Sequence, residues 1–255
     1  TYASGDVMAQ SLTIPHLEAT NPGAIDAYSH AEADATVAIG GFSTHDASMG
    51  YFNSPLIDMI AVVFMFLAGV NFSLHFVAFR HRSVMGYWYD SEFRFYILLL
   101  SIVIVITVLG LYLTETYDHW QDALVNGLFQ AVSIGTTAGF TTAEFYNWPG
   151  FIAILLLFSS FVGGCAGSTG GGIKVIRLLL LVKQGLREIT RLVHPSAQIP
   201  VRIGTKSVDS RVVEAVWGFF AAYVACFVVM MLLLMIDGHD QITAKQARSE
   251  ERFSR

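Results

Sequence analysis

Long apolar blocks alternate with short polar ones along this chain. Residues 56–79, 95–113, 151–162 and 212–236 are dominated by Leu, Ile, Val, Phe, Ala and Met, and 173–182 is a further apolar stretch. Blocks approaching 20 apolar residues predict helices that cross a bilayer. Asp58, Asn71 and His75 interrupt the first block, and the expectation for them is a structural role, facing neighbouring helices or water. Residues 80–94 read as a short connection containing His81, Asp90 and Glu92, and 114–122 as a polar loop. Residues 123–134 are weakly polar and helical in character, but too short to span. They predict a half-membrane helix that re-enters on the side it came from, its negative C-terminal end favouring a cation. Pro149 suits the start of the block at 151–162.

Two interruptions carry the candidate chemistry. The first is residues 131–142, Ala-Val-Ser-Ile-Gly-Thr-Thr-Ala-Gly-Phe-Thr-Thr. A polar loop between membrane helices is stable only inside protein or along a cavity. Thr137-Ala138-Gly139-Phe140 looks like the Thr-Val-Gly-Tyr of a potassium filter, whose backbone carbonyls replace an ion's water shell. Gly139 admits backbone conformations that let successive carbonyls face one way. The motif recurs as Ile39-Gly40-Gly41-Phe42-Ser43-Thr44, about 100 residues earlier, which predicts a pore built from repeated units. The ion-contact candidates are the carbonyls of Ala38, Ile39, Gly40, Gly41, Thr136, Thr137, Ala138 and Gly139.

The second interruption runs Gly163-Gly164-Cys165-Ala166-Gly167-Ser168-Thr169-Gly170-Gly171-Gly172, followed by Ile173 and Lys174. A regular helix through these glycines would cost about 0.8–1 kcal/mol for each, relative to alanine. A helix broken in mid-membrane is the expectation, with a close-packing helix surface as the alternative. The stretch lacks the Gly-Lys-Ser/Thr ending of a phosphate loop. Ala166 stands where a nucleophile elbow around Ser168 needs glycine.

Composition agrees with a membrane class. Of 255 residues, 54% are hydrophobic and 14% charged, against roughly 25% charged in soluble domains. All 15 Lys and Arg fall in 80–94, 174–191, 202–211 and 245–255. That asymmetry assigns 80–94 and 183–211 to the cytoplasm and both filter-like loops to the outside. The outer loops carry Asp46, Glu115, Asp118, Asp122 and Glu144, which suit a cation entrance or are ordinary solvated charges. The tail at 245–255 runs against the rule. Cys165 and Cys226 read as small packing residues. Residues 1–34 are polar and turn-rich, without a signal-like basic and apolar start. Glu32 and Asp34 would cost about 2.5–3.5 kcal/mol each on the Asp scale at membrane depth unless they face water.

These residues resemble the Trk/Ktr/HKT family of potassium transporters. The resemblance rests on residues 37–46, 136–142 and 163–177, and extends through Leu192-Val193-His194-Pro195 and Glu214-Ala-Val-Trp-Gly-Phe-Phe220, covering about residues 36–236. It implies an all-α membrane protein of helix–pore loop–helix units, with re-entrant selectivity-filter loops and one broken membrane helix. Residues 35–94 would hold the filter loop and second helix of one repeat. Residues 95–191 would be a complete repeat with the Gly-rich gating loop, and 192–237 a cytoplasmic linker and first helix of the next. Residues 1–34 and 238–255 depart from the family and stay unassigned.

The resemblance further implies potassium uptake across the bacterial inner membrane, with K+ as the transported ion and no organic cofactor. It implies gating by Gly163, Gly164, Gly167, Gly170, Gly171 and Gly172. Lys174 either places charge near that gate or snorkels to the cytoplasmic surface. The implied partners are a cytoplasmic nucleotide-binding regulatory subunit (TrkA-like), a second copy in a homodimer, and membrane lipid, with no nucleic acid. The basic segment 183–211 suits docking that subunit or the charged membrane surface. No catalytic constellation is visible, so an enzyme is not expected. The rivals are an ion-coupled secondary transporter with substrate at the broken helix, and an incomplete, non-conducting fragment lacking the outer two of four filter segments.

Overall fold

The computed structural model describes residues 35–43, 47–194, 200–204 and 206–236. Glu32, Asp34, Asp46 and the stretches 1–34 and 238–255 lie outside the described residues. The regular elements of the described chain are helices and one small hairpin. It divides into two compact units between Leu179 and Leu180.

The first unit holds helices α1 (Pro55–Ala68), α2 (Phe72–His81), α3 (Met85–Tyr89), α4 (Ser91–Leu113), α5 (Trp120–Gly135) and α6 (Gly150–Val162), with the first turns of α7 (Val175–Val193). α4 is the long span. Asp90 caps it by accepting the Phe93 N–H at 2.7 Å. It therefore starts at Ser91, earlier than the apolar pattern indicates. Tyr96, Leu100, Val103, Thr107 and Leu111 form its buried stripe, while Leu98, Ile102, Val105 and Leu109 on the other side are exposed. A helix apolar on both faces belongs in lipid. α5 packs between α1, α4 and α6. The short Gly110 and Gly127 let helices approach: a Cβ on Gly110 would come within 2.8 Å of the Phe151 ring.

The first apolar block is not one helix. α1 and α2 are bent by 95° at a three-residue break, Gly69-Val70-Asn71. Asn71 accepts the Ser73 N–H at 2.9 Å and so starts α2 as its N-cap. His75 reaches back with one ring nitrogen 2.9 Å from the Leu67 carbonyl, at the end of α1, and the other 2.7 Å from the Tyr87 hydroxyl. The same interval separates Pro55 from Gly69 as separates Pro149 from Gly163. α1 and α6 therefore each start at or just after a proline and end at a glycine the same distance on. Asp58 is buried in α1, and one of its carboxylate oxygens has no hydrogen-bond partner among the described residues.

In the second unit, α7 continues to Val193, well past the expected end of the apolar stretch at 182. A two-stranded antiparallel hairpin follows, β1 (Arg202–Ile203) and β2 (Lys206–Ser207), and then α8 (Ser210–Ile236). The segment 183–211, read from sequence only as basic and polar, thus contains helix and hairpin. Leu180, Leu181, Val201, Val213 and Val216 form its core, and Lys183 Nζ donates to the Arg202 carbonyl. α4 and residues 210–230 of α8 are each long and apolar enough to cross a membrane.

Candidate ion pathway and glycine loop

The two filter-like loops have the same backbone. Each follows a helix end, 35–38 in one case and α5 in the other. Gly40 N–H donates to the Ala35 carbonyl at 2.9 Å, and Ala138 N–H to the Ser133 carbonyl at 2.7 Å. Ile39 N–H donates to Thr36 at 3.3 Å, and Thr137 N–H to Ile134 at 3.1 Å. Left-handed residues alternate in both: Ile39 (φ 53°) and Gly41 (φ 67°), Thr137 (φ 67°) and Gly139 (φ 83°). Alternating the hand of successive residues turns their carbonyls to a common side, and a β-branched residue at positive φ is a genuine outlier. Among the described residues, no hydrogen bond is donated to the carbonyls of Ala38, Ile39, Gly40, Gly41, Thr136, Thr137, Ala138 or Gly139. Of these residues Ile39, Thr136 and Ala138 are buried, and buried carbonyls are otherwise nearly always paired. The two loops touch each other, since a Cβ on Gly41 would fall 2.6 Å from the Ala138 carbonyl.

α5 supports its loop with one polar side chain per turn. Asn126 accepts from the Thr142 hydroxyl at 2.9 Å, Gln130 donates to the Ala143 carbonyl at 2.8 Å, and Ser133 donates to the Phe140 carbonyl at 2.6 Å. These three lie on one helical face, and their spacing was a signal available in the sequence. The loops are also tied together: Gly50 N–H donates to the Thr141 carbonyl at 3.1 Å and Thr141 N–H to the Ser48 hydroxyl at 3.2 Å. Glu115, Asp118, Asp122 and Glu144 are all exposed. Among the described residues, no group of three His, Cys, Asp or Glu converges on a metal position.

The glycine run is a closed loop between α6 and α7. Its neck is zipped by Ile173 N–H to the Phe161 carbonyl (2.8 Å), Lys174 N–H to Val162 (2.9 Å) and Val175 N–H to Gly164 (3.1 Å). Gly163 (φ 69°) and Gly172 (φ 75°) sit in that neck, where any side chain on Gly172 would come within 2.8 Å of the Phe161 carbonyl. The loop's first half is stitched to the break between α1 and α2. Cys165 N–H donates to the Gly69 carbonyl at 2.8 Å, and Phe72 N–H to the Gly167 carbonyl at 3.0 Å.

The loop's tip meets the inner ends of both filter-like loops. Thr169 donates from its hydroxyl to the carbonyls of Val37 (3.1 Å) and Ala68 (3.2 Å), and Gly171 N–H to the Thr137 hydroxyl at 2.6 Å. Gly170 lies against the Thr136 carbonyl, which a Cβ there would approach to 2.9 Å. Lys174 turns back onto the loop and donates from Nζ to the Gly170 carbonyl. The sequence reading missed Glu92, whose Oε1 accepts from Ala166 N–H at 2.6 Å and from Ile176 N–H at 3.2 Å. A single acid beside a polar connection gave no sign of it. Cys165 is buried and Cys226 exposed, and both are free.

A family profile, TrkH, described as cation transport protein, matches residues 14–243. The chain is 53% identical over 210 residues to the Trk system potassium uptake protein TrkH of Halomonas elongata, covering 82% of this chain and 43% of that one. It is 53% identical over 224 residues to its Vibrio parahaemolyticus counterpart, covering 87% and 46%. The crystal structure of the potassium transporter TrkH from Vibrio parahaemolyticus superposes with a TM-score of 0.77 at 54% identity, over 81% of this chain and 44% of that one. The chain therefore spans somewhat less than half the length of these relatives, over the repeated helix–loop–helix units and broken helix of an all-α membrane protein. This chain belongs to the TrkH cation transport protein family.

Proposed function

We propose that this chain carries the central part of a potassium uptake pathway, with a carbonyl-lined filter and a glycine-loop gate. One observation carries the reading: two adjoining loops with left-handed residues at alternate positions leave eight carbonyls without a donor among the described residues. Such carbonyls substitute for the hydration shell of a desolvated cation. Ala38, Ile39, Gly40, Gly41, Thr136, Thr137, Ala138 and Gly139 are the proposed K+ contacts. Potassium is cargo here, and the membrane potential alone suffices to drive it. One charge crossing 100 mV gains about 2.3 kcal/mol, enough for roughly 50-fold accumulation.

Two filter segments do not enclose an ion. Phe42 is 84% exposed, while its counterpart Phe140 is fully buried. The exposed side of the first loop is therefore the place for a further segment of the complete protein. The proposed setting is a bacterial inner membrane, with a TrkA-like nucleotide-binding subunit on the cytoplasmic side, a second copy of the complete protein, and lipid around the exposed apolar faces. The glycine loop, Gly163 to Gly172, is the proposed gate, because its tip lies at the inner ends of both filter-like loops. Lys174 braces that loop through Gly170, which favours the gate role over snorkelling.

The test uses a chimera in which residues 36–236 replace the matching stretch of a complete relative, reconstituted into vesicles. The chimera should pass K+ in preference to Na+. Gly139→Ser, which puts a side chain at φ 83°, should abolish the preference or the flux. An unchanged K+/Na+ ratio in that variant removes the filter assignment. Saturable flux coupled to a second ion would favour a secondary transporter instead.

A further inference from the structure

Glu92 is buried, 7% exposed, in the first turn of α4, and no part of ion passage requires it. It is nevertheless the acceptor for two backbone N–H groups, one within the glycine loop and one beyond it. Oε1 takes Ala166 N–H from within the loop at 2.6 Å and Ile176 N–H from the start of α7 at 3.2 Å. The neighbouring Asp90 is already engaged as the cap of α4.

We infer that Glu92 is a positioning residue that latches the glycine loop in its blocking place. The inference rests on the reading of residues 163–172 as the gate. The geometry gives the reason. The neck of the loop is closed by backbone bonds between 161–164 and 173–175. Its tip touches Val37, Thr136 and Thr137. Ala166 lies between neck and tip, and it must travel if the tip is to leave the pathway. Ile176 lies beyond the neck, on α7. One oxygen holds both groups only while Ala166 stays near Ile176, so withdrawal of the tip breaks the Ala166 bond.

An interaction shifts a two-state equilibrium only when it differs between the states, and this one exists in the docked loop. Carboxylate acceptors make stronger bonds than neutral ones. The other ties of that half of the loop, Cys165 to Gly69 and Phe72 to Gly167, are backbone pairs. Glu92 is the charged acceptor among them. It belongs to α4, at the end where the chain arrives from α2 and α3, so movement of those helices can reach the loop through it.

The experiment measures rubidium tracer uptake and the K+/Na+ ratio in vesicles holding the chimera without its regulatory subunit. Four variants are compared: a shortened loop lacking residues 168–171, Glu92→Ala, Glu92→Gln and Ile176→Pro. The shortened loop tests the gate itself and should raise uptake. Glu92→Ala should raise uptake about tenfold, the scale of one charge-assisted bond, with the K+/Na+ ratio unchanged. Glu92→Gln keeps a neutral acceptor oxygen and should restore the low uptake in part, to a level between Glu92→Ala and the parent. Ile176→Pro removes only the second donor. Proline is tolerated in a helix's first turn, so this variant keeps the test open if Glu92→Ala fails to reach the membrane, and a smaller rise is expected.

Unchanged or lowered uptake in Glu92→Ala, alongside raised uptake in the shortened loop, overturns the latch and leaves the gate standing. The same result in Ile176→Pro decides the matter if it alone is produced. Low uptake in every variant removes the gate reading and the latch together.

Discussion

Gly41 and Gly139 meet where the two filter-like loops adjoin, and they do so unequally. A Cβ on Gly139 would lie 3.7 Å from the Gly41 Cα, an ordinary contact, whereas a Cβ on Gly41 would fall 2.6 Å from the Ala138 carbonyl. Both residues are left-handed, at φ 67° and 83°, so alanine costs about 1–2 kcal/mol at either position. Only at Gly41 is a backbone collision added. Gly41→Ala should therefore lower the thermal midpoint of the chimera further than Gly139→Ala, and should abolish uptake by pushing the two loops apart. Equal losses in the two variants would mean that the loops do not adjoin as described.

Thr137 faces two ways. Its carbonyl belongs to the candidate filter, while its hydroxyl accepts the Gly171 N–H at 2.6 Å. Thr137→Val keeps the shape and removes the acceptor. The loop tip then loses a bond of about 0.5–1.5 kcal/mol, and resting uptake in vesicles should rise several-fold. Thr137→Ser keeps the hydroxyl and should stay near the parent. A rise of equal size in both variants would show that the bond to Gly171 is not what holds the tip.

The legible parts of the fold were those marked by composition. The apolar length of α4 and α8, the repeated Gly-Phe motif and the glycine run between α6 and α7 each announce themselves over many residues. The break at Gly69-Val70-Asn71 did not, because three residues inside an apolar block carry little weight against its length. Asn71 as an N-cap is the local cue, visible only once a helix start is suspected there. Glu92 and the Thr169–Val37 bond join positions far apart in the chain. No local pattern encodes such pairs, which depend on the packing of α1, α4 and α5. The alternation of left-handed residues was expected at glycine. It was hidden at Ile39 and Thr137, where β-branched side chains argue against positive φ and tertiary contacts override them.

Asn71 starts α2 and also adjoins Gly167, where a Cβ would come within 2.9 Å of its Oδ1. Asn71→Ala removes the Ser73 cap and should cost about 1 kcal/mol. Asn71→Asp retains an oxygen at the same place and should restore most of that loss. Thermal unfolding in detergent reads both, and equal stability of the alanine variant would show that the 95° bend does not depend on the cap.

Thr107 is fully buried in α4, and its hydroxyl has no hydrogen-bond partner among the described residues. An unpaired buried hydroxyl is unfavourable, and replacing it by an apolar group of the same shape is neutral or stabilising. Thr107→Val should leave uptake unchanged and raise the thermal midpoint, by up to about 1 kcal/mol in stability. A clear destabilisation would reveal a partner for that hydroxyl.

Gly163 closes the neck of the glycine loop at φ 69°, opposite Gly171 and Gly172. Alanine there incurs the left-handed cost of about 1–2 kcal/mol. Its Cβ would also collide with the Gly171 carbonyl and come within 3.2 Å of the Gly172 Cα. Neither is a flexible side-chain end that can swing away, so about 1–3 kcal/mol of overpacking is added. The three neck bonds from Ile173, Lys174 and Val175 hold the chain too close for the strain to relax. Gly163→Ala should therefore reduce the yield of folded chimera strongly. The surviving fraction should show faster proteolysis within 163–174 than the parent. Gly185, in the middle of α7, has nothing among the described residues within 4 Å of its would-be Cβ, so Gly185→Ala should leave yield and proteolysis at parental levels. If Gly163→Ala matched that control, the neck would have to be wider than these bonds describe.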